Sequence, residues 1–381
     1  MLESCSLDTS AKRVLWLLAA IFFLTLLTPP VRLYFFEMSK RWLYIFSFSF
    51  SLSFVLTPLA MMLAVKFGIL DIPESRKIHE TATPLLGGLA VIIAFTSALL
   101  ANMVLDKIMI LFLCSSIVIA LMSLIDDWIG LSARLKLSVQ TVVVLFLIYH
   151  GVILQLFPMS TLWGYGLNVL FTILWIVGIT NALNFLDGMD GLAGGVSAIM
   201  SFFMGVVAFQ TGQPFMGWIA IAVMGSCLGF LPFNFRVRKP AAIFLGDTGS
   251  TFLGFVLATL AVIGEWDESP IVSFSAPVLI FWVLIYDMAY ITVERILTGK
   301  VRTVMEWIDY VGKDHIHHRM LALMGDRKKA VLLIWFLSAT LGISAIALKH
   351  ARPVDGILLV VQAFLITLFV SILEYYGRHR H

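Results

Sequence analysis

Long apolar runs, separated by short polar segments, make up most of the chain. A helix needs about 20 apolar residues to cross a bilayer, so each run of this length predicts a transmembrane helix. The pattern predicts an all-α, polytopic integral membrane helical bundle of about eleven transmembrane helices plus one N-terminal helix. The predicted spans lie near residues 14–36, 42–67, 85–105, 108–125, 136–157, 163–183, 192–211, 214–233, 250–264, 271–297, 330–348 and 354–376.

The first of these runs differs from the others. Pro29-Pro30 interrupt it, and a second apolar run opens just after Met38. The first run is therefore either an extra membrane helix or a segment upstream of the true start. We divide the chain into an N-terminal extension, residues 1–41, and a membrane-embedded domain, residues 42–381.

Composition agrees with a membrane protein. Hydrophobic residues make up 60% of the chain and charged residues only 13%, which excludes an ordinary soluble domain. We expect the bilayer, and no nucleic acid, among its partners. When the loops are placed alternately on two sides, 20 of the 26 lysines and arginines fall on one side. The positive-inside rule assigns that side to the cytoplasm, and we expect a bacterial inner-membrane protein whose site faces the cytoplasm.

The polar segment 181–195 joins two predicted spans. It carries two amides, Asn181 and Asn184, and two carboxylates, Asp187 and Asp190. Polar groups beside hydrocarbon are costly, so their presence at a membrane boundary indicates a functional site. The alternative is a plain polar turn, which would need neither two carboxylates nor two amides.

Two further acidic groups lie on the same predicted side. Asp126-Asp127 end one apolar run, and Lys136 opens the next. Adjacent carboxylates repel each other unless a cation or a proton intervenes, which indicates a Mg²⁺ site or proton removal. The alternative is a solvated helix end. Asp247 precedes another span, where it could hold Mg²⁺ or simply cap the helix, as could Thr248.

Basic and histidine residues surround this acidic centre. The first cytoplasmic loop contains Arg76, Lys77 and His79, and a later loop contains a histidine segment, residues 315–318, followed by Arg319. The spacing of its three histidines suits a tetrahedral zinc site poorly. Their basic neighbours favour an anion-binding loop. An acidic centre with a basic rim suits a doubly phosphorylated substrate held by Mg²⁺, with Mn²⁺ as the alternative.

Asp287 stands apart from these groups, because it lies within the apolar run 271–297. A carboxylate in such a run is expected to face the bundle interior, where it lines a groove or pairs with a buried polar group. We do not expect it to be catalytic.

Taken together, these motifs resemble those of the polyprenyl-phosphate N-acetylhexosamine-1-phosphate transferases. The resemblance covers about 300 residues. It is carried by five blocks in the family's order: Arg76-Lys-x-His79 with Pro84-x-x-Gly-Gly88; Asp126-Asp127 with Lys136; Asn184-x-x-Asp187-Gly-x-Asp190-Gly; Asn234-Phe with Phe244-x-Gly-Asp247-Thr-Gly-Ser; and His315-x-His317-His318.

The resemblance implies a role for each matching residue. It implies that Asp247 is a metal ligand, with Asn184 close to the metal as the second metal-site residue. The implied catalytic carboxylates are Asp126, Asp127 and Asp187. Lys136 and the histidine segment resemble phosphate-binding groups, and Asp190 and Phe244 resemble residues that meet the uracil. The candidate substrate-binding residues are Arg76, Lys77, His79, Lys136, Asn181, Asp190, Phe244, His315, His317, His318 and Arg319.

The implied reaction moves a sugar 1-phosphate from a UDP-sugar to undecaprenyl phosphate and releases UMP. The form of residues 314–318 is similar to the branch that uses UDP-N-acetylglucosamine. The alternatives are the phospho-N-acetylmuramoyl-pentapeptide branch and, in another class, a transporter of lipid-linked sugars. Direct attack by the acceptor and a covalent enzyme intermediate both stay open, and a homodimer is a further expected assembly.

Overall fold

The computed structural model describes residues 10–71, 82–104, 106–310, 312–349 and 351–378. The regular secondary structure of the described residues is helical apart from two strands of two residues each. The helices are α1 (Ser10–Leu26), α2 (Pro29–Glu37), α3 (Arg41–Phe67), α4 (Gly87–Ala101), α5 (Lys107–Ile129), α6 (Ala133–Tyr149), α7 (Leu162–Leu186), α8 (Leu192–Gln210), α9 (Pro214–Asn234), α10 (Gly246–Ile263), α11 (Pro270–Ile280), α12 (Trp282–Leu297), α13 (Val304–Asp309), α14 (Ile316–Met324), α15 (Arg327–Ile346) and α16 (Pro353–Arg378). Strands β1 (Leu70–Asp71) and β2 (Thr83–Pro84) pair antiparallel.

The predicted class is confirmed, because the protein is a polytopic helical membrane protein. Eight described helices are long and apolar enough to cross a membrane, and the number is ten if each of two bent pairs is one span. The structure thus contains fewer full-length spans than the twelve predicted. Two predicted spans are short helices, since α4 has 15 residues and α6 has 17.

Two predicted spans are wrong as single straight helices. The run 14–36 is divided into α1 and α2, which meet at 72°, and the run 271–297 is divided into α11 and α12, which meet at 78°. Proline explains both breaks, because its ring removes a backbone donor and clashes with the preceding turn. Pro29-Pro30 open α2, and Pro277 lies four residues before the second break at Phe281.

Helix α10 runs through the centre of the bundle. In its apolar window 89% of the residues are buried, and it packs on α4, α5 and α7. A helix that is apolar on every face is expected in such a position. Its first residue, Gly246, lies at the end of the bundle where the acidic motifs also lie, so the central helix begins at the candidate site.

The start of α4 is joined to the segment that leads into α10. Gly87 and Gly88 donate backbone hydrogen bonds to Phe244 O and Leu245 O at 3.0 and 2.8 Å, and the Phe244 N–H donates to Pro84 O at 2.8 Å. Two of the five predicted blocks therefore meet in space. Arg76, Lys77 and His79 lie outside the described residues, so their predicted roles are not placed by the structure.

Helices α3 and α9 approach closely because small residues line their contact, as is common between membrane helices. Ser53 Oγ donates to Ser226 O at 2.6 Å. A Cβ atom placed on Gly229 would lie 2.2 Å from Phe50 O. The neighbouring backbone therefore leaves no room for even one methyl group.

Gly229→Ala is expected to lower the melting temperature of the protein in detergent. Overpacking costs about 1–3 kcal/mol, which exceeds the gain in helix propensity of about 1 kcal/mol. The control is Gly178→Ala in α7, where a Cβ meets nothing within 4 Å. That variant should melt at or slightly above the wild-type temperature. Equal melting of the two variants would contradict the close packing of α3 on α9.

Candidate active site

A cavity of about 640 Å³ opens at the end of the bundle where α5, α7 and α9 end and α6, α8 and α10 begin. Six aspartates and two lysines line it, and four of the aspartates, Asp126, Asp127, Asp187 and Asp247, come from the ends of three of these helices. The predicted site residues on its wall are Asp126, Asp127, Lys136, Asp187, Asp190, Phe244, Asp247 and His318. The structure therefore brings together residues that are more than 190 positions apart in the sequence.

Lys136 is the cation shared by two of the carboxylates. Its Nζ lies 2.6 Å from Asp126 Oδ2 and 3.2 Å from Asp247 Oδ2. Asp126 is buried at 8% exposure, and its second oxygen accepts the Leu131 N–H at 2.7 Å. Burial of a charged group is tolerated when it is paired and hydrogen-bonded. Lys136 thus joins the end of α5 to the beginning of α10.

Asp127 caps the start of helix α10 from a different helix. Its Oδ1 accepts the Asp247 N–H at 2.9 Å, and its Oδ2 accepts the Thr248 N–H at 2.9 Å and the Thr248 hydroxyl at 2.6 Å. A carboxylate at a helix N-terminus satisfies unpaired N–H groups and interacts favourably with the helix dipole. The sequence alternative, that Asp247 or Thr248 caps its own helix, is wrong, because Asp127 supplies the cap.

Gly246 makes this arrangement possible. Its φ of +74° lies in the left-handed region, which favours glycine. A Cβ atom there would lie 2.6 Å from Leu85 O and 2.8 Å from Asp127 Oδ2. A larger residue would therefore displace the capping carboxylate as well as strain the backbone.

Asn184 fixes the other side of Asp247. Its Nδ2 donates to Asp247 Oδ1 and to Ser250 Oγ, both at 3.0 Å. With Lys136 on Oδ2, the Asp247 carboxylate is oriented from two directions. Asn184 therefore lies beside the candidate metal ligand with its amide nitrogen towards it, and its role as a second metal ligand stays a prediction.

Of the four carboxylates Asp126, Asp127, Asp187 and Asp247, Asp187 has the fewest hydrogen-bond donors. Among the described residues no group donates a hydrogen bond to its side chain, whereas Asp126, Asp127 and Asp247 each have such donors. Burial, followed by the negative charges of Asp247, Asp127 and Asp190, raises the pKa of Asp187 well above its ordinary value. A carboxylate with a raised pKa is a stronger base than an ordinary one, which suits proton transfer.

Asp190 links two loops at the rim of the cavity. Its Oδ2 accepts the Ala241 N–H at 2.7 Å. Beside it, Asn234 Oδ1 accepts the Gly191 N–H at 2.8 Å, and Asn234 Nδ2 donates to Ile243 O at 2.9 Å. These bonds hold the loop before α10 against the turn that contains Asp187, so that Phe244 also faces the cavity.

Asn181 is not brought to the cavity wall. It lies about one turn before Asn184 on α7, and its Nδ2 donates to Gln140 Oε1 at 2.6 Å and to Val177 O at 2.7 Å. Gln140 is buried at 2% exposure on α6. A contact between two helices accounts for this amide, in place of the predicted contact with substrate.

The histidine segment is divided between the cavity and the protein interior. His318 lines the cavity together with Gly312 and Lys313. His317 is buried at 2% exposure and packs on Gly188, where a Cβ would lie 2.3 Å from His317 Nε2. Burial, followed by the charges of His318 and His315, lowers the pKa of His317 well below its ordinary value. His317 is therefore a packing residue against the turn at Gly188, and its lowered pKa favours the neutral imidazole.

His315 and Arg319 are also directed away from the cavity. His315 Nδ1 lies 2.8 Å from Asp287 Oδ2, and Arg319 is 2% exposed. Asp287 is buried at 3% exposure and pairs with a buried polar group, so this expectation for Asp287 is confirmed. The predicted substrate contacts of His315 and Arg319 are not supported by their positions.

Sequence reasoning missed several residues of the cavity wall. Arg327, Asp71 and Asn234 line it, but none was predicted to be a site residue. Arg327 opens the run Arg327-Lys-Lys, which looks like ordinary positive charge at a helix end. The signal that could have found Asn234 is its position directly after an apolar run, like that of Asp126.

Metal binding can be judged from the donor set. Among the described residues, no three or more His, Cys, Asp or Glu side chains are arranged to share one ion. Mg²⁺ usually takes only one or two carboxylates, together with water and substrate phosphates. Asp247 and its neighbouring carboxylates fit that requirement, while a zinc site of three or four protein ligands does not.

The fold and the cavity define a polytopic membrane protein with an acidic site at one end of its helical bundle. The chain belongs to glycosyl transferase family 4, whose family model matches residues 109–265. Its relatives extend this match over most of the chain.

Three relatives describe the range of the similarity. The chain is 33% identical over 328 residues to a probable undecaprenyl-phosphate N-acetylglucosaminyl 1-phosphate transferase of Bacillus subtilis, covering 84% of this chain and 87% of that protein. It is 29% identical over 351 residues to a decaprenyl-phosphate N-acetylglucosaminephosphotransferase of Mycobacterium leprae, covering 83% and 86%. It is 34% identical over 269 residues to a phospho-N-acetylmuramoyl-pentapeptide-transferase of Prochlorococcus marinus, covering 64% and 74%.

Asp187→Asn is expected to stabilise the protein at alkaline pH. The folded state raises the pKa of Asp187, whereas the unfolded chain has an ordinary value of about 4. Between these two values the folded state keeps a proton that the unfolded state has released, so stability falls as the pH rises. One unit of pKa corresponds to about 1.4 kcal/mol.

The measurement is the melting temperature of both proteins in detergent at pH 4.5 and pH 8.5. The variant should melt about 2 °C or more above the wild type at the higher pH. At the lower pH the difference should be smaller, because pH 4.5 lies only about half a unit above the unfolded-state pKa of about 4, so little of the pH-dependent loss of stability has yet accumulated. If the variant melts below the wild type at pH 8.5, the charge of Asp187 in the wild type must be compensated in the folded state.

Proposed function

We propose that the protein transfers N-acetylglucosamine 1-phosphate from UDP-N-acetylglucosamine to undecaprenyl phosphate and releases UMP. The product is a lipid-linked sugar diphosphate that can begin a surface glycan. The protein is thus a sugar-phosphate transferase of the membrane. The N-acetylglucosamine-transferring relatives match more than 80% of the chain, and the pentapeptide-transferring relative matches 64%.

The observation that carries this proposal is the convergence of Asp126, Asp127, Asp187 and Asp247 on one cavity at the end of the bundle, with Lys136 paired to Asp126 and Asp247. A lipid phosphate lies at headgroup level and a nucleotide is dissolved in water. A reaction between them needs a polar site where loops meet the bilayer. The cavity satisfies this requirement, and carboxylates with one lysine suit a cation–diphosphate complex.

We propose that the site lies at the cytoplasmic face of the bacterial inner membrane. The excess of lysine and arginine on this side supports that orientation. UDP-sugars are cytoplasmic metabolites, so the donor would enter the cavity directly from solution. A homodimer stays a prediction that light scattering of the purified protein can test.

Mg²⁺, or Mn²⁺ in its place, is part of the proposal. Asp247 would hold the ion, with Asn184 and Lys136 keeping its carboxylate oriented. When bound, the ion supplies a positive charge that stabilises the diphosphate and the departing UMP. The crowded carboxylates support this assignment, because a divalent cation relieves their mutual repulsion.

The bond changes follow from the substrates. An oxygen of the acceptor phosphate attacks the β-phosphorus of the UDP-sugar. A new P–O bond forms, and the bond from the β-phosphorus to the bridging oxygen breaks, so that oxygen leaves with UMP. Charge on the phosphates can be balanced by Lys136, Lys313 and Arg327, which line the cavity. The sugar stays bonded to its own phosphate throughout.

Asp187 is the proposed general base. Its side chain has no hydrogen-bond donor among the described residues, and its raised pKa suits removal of a proton from the acceptor phosphate. Asp127 is engaged in capping α10, and Asp126 is held by Lys136 and Leu131. Burial, followed by the charge of Asp247, also raises the pKa of Asp127, to about 7, so the distinction rests on hydrogen bonding. Both oxygens of Asp127 already accept hydrogen bonds, whereas Asp187 is open to the acceptor phosphate. Asp190 and Phe244 would face the uracil.

Purified protein with undecaprenyl phosphate and a panel of UDP-sugars should release UMP, most rapidly with UDP-N-acetylglucosamine. EDTA should abolish the release and added Mg²⁺ should restore it. The panel should include UDP-N-acetylgalactosamine and the UDP-N-acetylmuramoyl-pentapeptide. Liquid chromatography measures UMP directly. No release with any UDP-sugar would overturn the proposed function, and movement of lipid-linked sugar across vesicles without bond cleavage would favour a transporter.

Asp247→Asn should lower kcat by about 10²–10³-fold, which is typical when a group that stabilises transition-state charge is removed. Its melting temperature should stay near that of the wild type. Asp309→Asn is the matched control, because Asp309 forms an exposed pair with Arg134 and such pairs contribute little. A near-normal kcat for Asp247→Asn would contradict the metal assignment.

A further inference from the structure

Three charged residues meet inside the bundle, away from the cavity. Asp287 on α12, Arg319 on α14 and Glu374 on α16 are 3%, 2% and 4% exposed. None of them lines the cavity, and the proposed reaction uses none of them. Buried ionisable groups in a membrane protein are costly, so this cluster needs a reason.

Arg319 is the centre of the cluster. Its Nη1 lies 3.3 Å from Glu374 Oε2, and its Nη2 lies 3.6 Å from Asp287 Oδ1. Its guanidinium carbon lies 3.8 Å from the centre of the Tyr290 ring. No aligned hydrogen bond joins its nitrogens to the described residues. The attraction is therefore ionic, with a cation–π contribution. Without Glu374 or Asp287, a buried positive charge would lose part of its compensation.

Asp287 connects this cluster to the histidine segment. Its Oδ2 lies 2.8 Å from His315 Nδ1, and its Oδ1 accepts the Ile316 N–H at 2.6 Å. It thereby satisfies a backbone donor at the start of α14 from a different helix. The preceding residue, Asp314, forms a two-pronged ion pair with Arg295 of α12 at 2.7 Å for each bond.

The residues on either side of this attachment reach the cavity. Gly312 and Lys313 precede it, and His318 follows it, and all three line the cavity wall. Residues 314–316 are held by the Asp314–Arg295 ion pair and by the hydrogen bonds of His315 and Ile316 to Asp287. This segment cannot move without moving these three residues. The position of the wall therefore depends on contacts that lie behind it.

Helix α16 completes the cluster from the lipid side. Only 17% of its apolar window is buried, yet Thr367 and Glu374 are buried. Thr367 accepts the Trp282 indole N–H at 3.2 Å, and Ser371 contacts the Tyr286 hydroxyl. Residues 367, 371 and 374 share one helix face. The polar groups of this helix thus follow one stripe, directed at α12 and α14.

We propose that Arg319 and Glu374 are positioning residues that hold the histidine segment, and through it Lys313 and His318, at the wall of the active site. This inference rests on the proposed function, because it assigns these residues to the same reaction. It replaces the substrate contact expected for Arg319 with a contact to the last helix. Glu374 lies in the final apolar helix, so the C-terminal helix is part of the catalytic framework.

A double-mutant cycle tests the proposal, using Arg319→Met, Glu374→Met and the combined variant. Arg319→Met leaves Glu374 without its cation, and Glu374→Met leaves Arg319 with Asp287 as its remaining counter-charge. The double variant removes both charges of the Arg319–Glu374 pair, a change that is often neutral or stabilising, while Asp287 keeps its contacts with His315 and the Ile316 N–H. Each single variant should lose about 10-fold to 100-fold in kcat/KM, as expected for a misplaced site. The double variant should recover to within about threefold of the wild type.

KM for the UDP-sugar separates positioning from simple loss of folded protein. KM does not depend on how much of the enzyme is folded, so a purely structural role would lower the maximal rate alone. KM should rise in both single variants and return in the double variant. Asp355→Asn, an exposed acid on the same helix, is the matched control and should leave KM unchanged.

Two results would overturn the proposal. The first combines two observations: the double variant has the same low kcat/KM as Arg319→Met, and Glu374→Met has the kcat/KM of the wild type. That result would mean that Arg319 touches the substrate. The second is a wild-type KM in both single variants. Should the double variant fail to fold, Glu374→Gln decides in its place, because an unchanged KM there contradicts positioning. A wild type that releases no UMP overturns the proposed function instead.

Discussion

One ammonium group, Lys136 Nζ, holds two carboxylates together at the boundary of the membrane domain. It lies 2.6 Å from Asp126 and 3.2 Å from Asp247. Without that charge, the end of α5 and the beginning of α10 would carry facing negative charges in a poorly hydrated place, where repulsion is weakly screened. Since α10 is the central helix and α4 and α7 pack on it, the geometry of the whole site depends on this contact.

The same constraint explains why two adjacent aspartates have different tasks. Successive residues on a helix point about 100° apart. Asp126 therefore meets Lys136, while Asp127 meets the backbone N–H groups that open α10. The compensating positive charge is a side chain in one case and a helix terminus in the other. Asp187 receives neither, and burial, followed by the negative charges of Asp247, Asp127 and Asp190, raises its pKa. Of the four carboxylates, Asp187 is thus the one that the described residues leave without a hydrogen-bond donor, which is why we assign the proton transfer to it.

Much of this site could be predicted from the sequence, because costly polar groups stand out against apolar runs. The gathering of Asp126, Asp187 and Asp247 at one end of the bundle followed from alternating the loops. The direction in which each side chain points could not be predicted from the alternation of the loops. Asn181 and Asn184 are three residues apart, yet one faces Gln140 and the other faces Asp247. Spacing cannot separate them, because residues three apart lie on nearly the same helix face and only neighbouring helices distinguish them.

The contacts of the histidine segment could not be predicted from the sequence either, because the helix pair that contains Asp287 is bent. On a straight span, Asp287 would lie deep in the bilayer, about 15 Å from the helix end. The break of 78° after α11 makes α12 a separate helix, so position along the apolar run no longer measures depth. Asp287 instead meets His315 and the start of α14. A proline-linked break in a membrane helix therefore allows a buried carboxylate to support a loop at the active site, where a straight helix would have kept it in hydrocarbon.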